Sequence, residues 1–230
     1  MKSVLITGAN KGIGFETARQ LALKGFYVFI TGRDEAKLSA ALDKLKNESA
    51  YVESILMDVS KDESVINAAE LFTERKVQLD VIINNAGILL KEDRSLLQND
   101  LDFLQAVINT NSYGAVRVIQ AFTPLMKNPG RIINISSGGG SMTDPVGGWS
   151  PAYCVSKTLL NSFTRHFAYE LSGRGISVNA VCPGWVKTDM GGKSAPRSIE
   201  QGAETQVWLA SDAPHKLTGK IFRDKSEIKW

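Results

Sequence analysis

Short apolar runs alternate with longer stretches in which apolar residues recur at three- and four-residue spacing, from one end of the chain to the other. The short runs predict strands at Val4–Thr7, Tyr27–Thr31, Val52–Met57, Val81–Asn84, Arg131–Ser136 and Ile176–Val181, with a last short one near Lys220–Phe222. Most are apolar on consecutive positions, as strands covered by helices on both faces must be. The longer stretches predict helices at about Ile13–Leu23, Glu35–Lys46, Glu63–Arg75, Asp100–Met126, Ala152–Leu171 and Ile199–Ala210. The expected architecture is therefore α/β, a doubly wound sheet of about seven parallel strands flanked by helices on both faces. No repeat, low-complexity segment or Pro/Ser-rich linker divides it, and residues 1–230 read as one domain.

Composition narrows the class. A chain of 230 residues buries roughly three quarters of its unfolded surface and needs no disulfide or structural metal to hold a core. Its 27 Lys+Arg against 24 Asp+Glu give a net charge of +3 without a block of like charges, so neither a nucleic acid nor a membrane surface is an expected partner. The N-terminal apolar run, Val4-Leu5-Ile6, is too short for a signal peptide, and no stretch approaches the roughly 20 apolar residues of a membrane span. Cys154 and Cys182 lack metal-ligand spacing, and His166 and His215 do not complete a zinc set. A soluble, reduced, cytoplasmic protein without a metal is expected.

Candidate chemistry collects where the predicted strands end. Thr7-Gly8-Ala9-Asn10-Lys11-Gly12-Ile13-Gly14 follows the first strand and opens the first helix. In that context glycines let the backbone approach a pyrophosphate, whose charge is favoured by free N–H groups and the helix dipole. At the end of the second strand a carboxylate accepts the ribose hydroxyls of NAD, whereas a guanidinium pairs with the extra phosphate of NADP. The chain there reads Thr31-Gly32-Arg33, with Lys11 in the facing turn. The two cations favour NADP(H). Asp34 keeps NAD(H) open, since a register slip of two positions would put a carboxylate at the ribose. Farther along, Tyr153 and Lys157 are four apart on a predicted helix and project from one face. An ammonium beside a phenol favours the phenolate and lowers a pKa that is otherwise about 10.

Further motifs occur in a fixed order: Asn84-Asn85-Ala86-Gly87 after the fourth strand, Asn111-x-x-Gly114 in the long helix, Ser136-Ser137 after the fifth strand, Tyr153-x-x-x-Lys157, then Pro183-Gly184 and Thr188. With the Gly-x-x-x-Gly-x-Gly turn, these resemble the short-chain dehydrogenase/reductase family over nearly the whole chain. The resemblance implies a Rossmann-type fold and an oxidoreductase in which Tyr153 supplies a proton and Ser137, rather than Ser136, orients the substrate oxygen. It also implies that Lys157 binds the nicotinamide ribose and that Asn111 supports a water connecting Lys157 to solvent. Cofactor contacts are implied at Gly8, Asn10, Lys11, Gly12, Ile13 and Gly14, at Arg33, Asp58 and Val59 around the adenosine, and at Asn85, Ala86 and Gly87 along the centre. Pro183, Gly184, Val186 and Thr188 are implied at the carboxamide end. Asp58 has a second reading, as a cap of the next turn.

Val178–Met190, Gly202-Ala203-Glu204-Thr205, Pro214-His215 and Trp230 resemble the NADPH-dependent carbonyl reductase branch, which implies reduction of ketones, aldehydes or quinones by hydride transfer from NADPH. Met142, Trp149, Trp185 and Met190 would supply an apolar pocket for a small-molecule carbonyl substrate beside a loop at about 189–200. Core packing under that loop is the equal alternative for Trp185 and Met190. The gap from Ser137 to Tyr153 is sixteen residues, a short insertion around Ser141–Trp149 beyond the family's usual spacing. Monomers of that branch carry a longer one, so a homodimer or homotetramer is expected. Within the family, an NAD-dependent alcohol dehydrogenase or a 3-oxoacyl-thioester reductase stays open. A non-catalytic NADP(H) sensor is the reading from another class, and it has no need for Asn111, Ser137, Tyr153 and Lys157 together.

Overall fold

In a computed structural model, which describes residues 1–144 and 148–230, β1 (Ser3–Ile6) is buried at every residue. Val4 and Ile6 pack on one face of the sheet with Leu21, Leu38, Leu45 and Leu209, and Leu5 packs on the other with Phe29, Phe72, Ile82 and Phe122. The alternation places one apolar core on each side, the arrangement that consecutive apolar strand residues require. The sheet runs β3 (Val52–Leu56), β2 (Tyr27–Gly32), β1, β4 (Leu79–Asn84), β5 (Met126–Ile135), β6 (Ile176–Val181), β7 (Ile221–Arg223), β8 (Ser226–Ile228). Every pair is parallel except the last. This is the Rossmann-like α/β sheet that the sequence implied, with eight strands in place of about seven.

Helices α1 (Gly12–Leu23), α2 (Glu35–Lys46) and α7 (Ile199–Ser211) cover one face. The other carries α3 (Asp62–Glu74), α5 (Gly114–Phe122) and α6 (Pro151–Glu170), with α4 (Leu101–Ile108) packed on α6. None of the described helices is long and apolar enough to cross a membrane. From β1 the chain winds outward to β3, then returns to β4 on the opposite side of β1. Strand order thus reverses between β1 and β4, and the crevice at their carboxyl ends is where such a sheet binds ligands. The glycine turn leaves β1 there, and Asn85–Gly87 leaves β4.

Two elements differ from expectation. The helix predicted over Asp100–Met126 is broken into α4, a π-turn at Asn109–Tyr113, α5 and a short 3₁₀ turn at Thr123–Leu125, after which β5 begins at Met126. At the π-turn Asn111 is held from outside the helix: its Oδ1 accepts from the Ile88 N–H at 2.7 Å and its Nδ2 donates to the Ile88 carbonyl at 2.9 Å. Such one-turn π-bulges recur at functional sites. The unexpected β8 returns antiparallel through Asp224 and Lys225, both left-handed (φ 53° and 61°). Two left-handed residues make a hairpin turn usually signalled by Asn-Gly or Asp-Gly, and Asp-Lys carries no such signal.

Phe72 joins α3 to β2 and α5, its ring centroid 4.7 Å from that of Phe29 and 5.3 Å from that of Phe122. Phe72→Ala should lower the unfolding free energy in urea by about 3–5 kcal/mol; a loss under about 1 kcal/mol would contradict this placement of the second core.

Candidate active site

Two adjoining cavities occupy the crevice, of about 780 and 880 Å³, and Ile13, Asn85, Gly87, Thr188 and Met190 line both. The first lies along the glycine turn. Gly8 has φ +62°, and a Cβ there would stand 2.8 Å from the Ala86 Cα, so only glycine lets the β1 and β4 turns close on each other. The Thr7 hydroxyl accepts from the Asn85 and Ala86 N–H groups at 3.0 Å each, and the Asn85 amide donates to the Thr7 and Gly8 carbonyls at 2.9 and 3.0 Å. At the start of α1, Lys11 makes no side-chain cap and no acidic residue lies in the first turn. The uncapped N–H groups and the helix dipole fit the pyrophosphate of a dinucleotide.

Toward the ends of β2 and β3, the same cavity is lined by Asn10, Gly12, Gly14, Arg33, Asp58 and Val59. Arg33 is exposed and has no hydrogen-bonding or ionic partner among the described residues. Asp34 is directed elsewhere: it caps α2 through the Lys37 N–H at 3.0 Å and pairs with the Lys37 ammonium at 2.7 Å. Asp58 accepts from the Ser60 N–H at 3.0 Å and hydroxyl at 2.7 Å. Burial pushes this carboxyl up, and the Ser60 bonds with nearby Arg33 outweigh it, holding it below its ordinary value. Asp58 thus braces the next turn and lines the cavity at once. Lys11 lines the same cavity as Arg33, and its ammonium pairs there with Asp189 at 2.7 Å.

The second cavity holds Ser137, Tyr153 and Lys157 together, with Pro183, Gly184, Val186, Trp149 and Trp185 in its wall. Lys157 reaches in because α6 lies against the Gly138–Gly140 turn, where a Cβ on Gly140 would stand 2.7 Å from the Lys157 backbone. Its Nζ donates to the Ile135 carbonyl at 2.8 Å and lies 5.5 Å from the centre of the Tyr153 ring. Burial lowers the Lys157 pKa to about 8. Burial also raises the Tyr153 phenol to about 12, with the Ser137 hydroxyl pulling the other way and Cys182 and Cys154 adding to the rise. The expected depression by the ammonium is therefore not what this pocket produces, since desolvation of a buried phenol dominates. Ser136 also borders this cavity, but its hydroxyl is committed to Asn161 Oδ1 at 2.6 Å.

Asn111 lines neither cavity. It is nonetheless near Lys157: a Cβ on Gly87 would lie 3.4 Å from Asn111 Oδ1 and 3.6 Å from Lys157 Nζ. Trp149, Trp185 and Met190 are each about half exposed in the cavity wall, which removes the core-packing alternative for the last two. Met142 is not brought to the site; it is 77% exposed, and its N–H donates to the Trp230 carbonyl at 3.1 Å. The loop after β6 ends at Ser198, which caps α7, so Ile199 and Glu200 are helical.

A family model for short chain dehydrogenase matches residues 2–198. The chain belongs to that family. It is 34% identical to carbonyl reductase (NADPH) 1 of Sus scrofa over 98% of this chain and 93% of that one. It is 32% identical to the (+)-neomenthol dehydrogenase of Arabidopsis thaliana over 93% and 92%. Among solved structures, the NADPH-bound carbonyl reductase from chicken fatty liver superposes with a TM-score of 0.91 at 29% identity, over 100% of this chain and 99% of that one. This short-chain dehydrogenase is an oxidoreductase that works with a nicotinamide cofactor and a small-molecule substrate.

One residue that positions α6 carries no motif in the sequence. Pro151 opens α6 and Ser150 makes no side-chain cap. The cap comes instead from Asp93, 3% exposed in the segment after β4. Its Oδ1 accepts from the Ala152 N–H at 3.0 Å and its Oδ2 from the Tyr153 N–H at 2.9 Å, while the Asn99 amide donates to Oδ1 at 2.9 Å. A remote carboxylate thus satisfies two orphan donors of the helix and fixes the Tyr153 backbone.

Asp93→Ala should destabilise the dehydrogenase in urea by ~2 kcal/mol or more, because buried donors lose their acceptor, and Asp93→Asn should lose less. An Ala variant with the wild-type urea midpoint would contradict this. Lys157 gives a pH test. The folded protein releases its proton at about 8, below the ordinary 10.5, so between these values the unfolded chain holds more protons and stability rises with pH. Relative to Lys157→Met, the wild type should gain stability from about pH 7 to about pH 10 in thermal melts. A constant difference would place the ammonium in solvent.

Proposed function

We propose that this dehydrogenase reduces ketones, aldehydes or quinones to alcohols with NADPH, Tyr153 acting as the proton donor. One observation carries the reading. Ser137, Tyr153 and Lys157 line a single cavity that joins the glycine-turn cavity at Asn85, Gly87 and Thr188, so a carbonyl carbon and a nicotinamide ring would meet at that junction. The residues along the glycine turn hold the cofactor, with Pro183, Gly184, Val186 and Thr188 at its carboxamide end. Bound there, the nicotinamide cofactor supplies the hydride.

The protein's own work is on the oxygen. Ser137 and Tyr153 orient the carbonyl oxygen, and their hydrogen bonds strengthen as negative charge grows on it. A phenol raised to about 12 keeps its proton at neutral pH and yields it to the developing alkoxide. The ammonium of Lys157, beside the ring, stabilises the phenolate left behind. Asn111, beside Lys157 at Gly87, is the residue to hold a water that returns the proton from solvent.

NADPH preference is supported by Arg33, unpartnered in the cavity, by the commitment of Asp34 to α2, and by relatives named for that cofactor. Leu101 and Tyr113 are exposed along α4 and the π-turn, and Tyr113 packs toward Phe163 of α6. This supports pairing of two copies through these helices.

With aromatic ketones, aldehydes and quinones, NADPH consumption should exceed NADH consumption by about tenfold or more, and Arg33→Ala should narrow that ratio. Tyr153→Phe should lower kcat by about 10²–10⁴-fold with NADPH binding retained. Most of the turnover surviving in Tyr153→Phe would overturn the assignment.

A further inference from the structure

The geometry points to Arg223 as an anion-binding residue at the substrate end of the cavity, so that the preferred substrates are aromatic carbonyl compounds bearing a carboxylate. This deepens the reductase reading and names its substrate class.

Arg223 ends β7 just before the left-handed pair Asp224–Lys225, and its side chain lines the cavity that contains Ser137 and Tyr153. Its Nη2 lies 3.1 Å from where a Cβ on Gly138 would be, which places the guanidinium beside the residue that follows Ser137. A guanidinium carries five N–H donors and matches a carboxylate in a two-bond fork. Among the described residues, its one hydrogen bond is from Nη2 to the Cys182 sulfur at 3.2 Å, and a sulfur is a weak acceptor. Its Nε is buried with no partner among the described residues.

The nearby carboxylates do not supply the missing acceptor. Asp224 is bonded to Arg197 at 2.6 and 2.5 Å, and Glu227 pairs with Lys220. Asp144 lines the cavity and adds to the field at Arg223 without forming an ion pair with it. A purely structural role does not explain the arrangement either, because β6 and β7 are already joined by backbone pairing and by the Cys182 N–H to Phe222 carbonyl bond at 2.9 Å. Leu89, Trp149, Trp185 and Met190 make the rest of the wall largely apolar. A half-buried cation short of acceptors in an apolar cavity selects a ligand with a flat apolar body and one anionic group, and a neutral ligand leaves the guanidinium unpaired.

The test uses the holoenzyme with NADPH and two acid–ester pairs, phenylglyoxylate with its methyl ester and 4-carboxybenzaldehyde with its methyl ester. In wild type, kcat/KM should favour the acid by about tenfold or more in at least one pair, and Arg223→Met should erase that preference while ester turnover stays within about threefold. Arg223→Lys, which keeps the charge without the fork, should retain part of it. Benzoate binding, read by fluorescence of the cavity tryptophans, should weaken by about tenfold in Arg223→Met. Wild type turning over both esters as well as their acids, or Arg223→Met keeping the acid preference, overturns the proposal. Ester turnover with benzoate binding indifferent to Arg223 removes the anion site and leaves the reductase reading intact. Arg223-dependent benzoate binding without NADPH consumption by any carbonyl compound leaves the anion site and removes the reductase reading.

Discussion

The burial of one ammonium, that of Lys157, constrains the whole carboxyl edge of the sheet. Its hydrogen bond in the structure is to the Ile135 carbonyl at 2.8 Å, at the last residue of β5. To bring Nζ there, α6 must approach the strand end closely, and Gly140 lacks the Cβ that would stand 2.7 Å from the Lys157 backbone. On the other side Gly87 leaves room for both Nζ and Asn111 Oδ1. Ser156, fully buried one residue before Lys157, ties the π-turn to α6: Asn111 Nδ2 donates to its hydroxyl at 3.0 Å and the Ser112 hydroxyl donates to its carbonyl at 2.7 Å. The broken helix, the glycine turns and the remote Asp93 cap all fix the frame around that one charge.

The same burial sets the chemistry. It lowers the lysine to about 8 and raises the tyrosine to about 12, so both hold their protons at neutral pH. In the proposed reaction, a protonated phenol beside an ammonium is a donor that relaxes to a stabilised phenolate, which suits reduction of a carbonyl better than proton abstraction from an alcohol. Rigid elements position the parts: the serine pair directly follows β5, and α6 carries Tyr153 and Lys157 one turn apart.

Most of the strands were legible because they are buried on both faces, which writes Val, Ile and Leu on consecutive positions such as Val4-Leu5-Ile6 and Val81-Ile82-Ile83. The glycine turn and the Tyr153/Lys157 pair were legible as motifs of residue types at fixed local spacing, and the structure brings both to the crevice. What escaped was set by contacts far along the chain. Nothing local in Asn109–Tyr113 says that Ile88 will hold Asn111 and open a π-turn, and Asp93 caps a helix that starts about sixty residues later. The pairing of the Lys11 ammonium with Asp189, distant in sequence, was equally out of sight. Arg223 stands beside a hairpin with no turn signal, and a basic residue there reads as surface until the cavity shows what it lines.

The most direct test is the pH dependence of kcat/KM for NADPH in carbonyl reduction, which reports the ionisations of the free enzyme. The account predicts a level profile through neutral pH and a fall as pH rises through about 8, where Lys157 loses its charge while Tyr153 keeps its proton. A profile that climbs through the same range would mean that an ionised tyrosine does the work, and it would contradict the account.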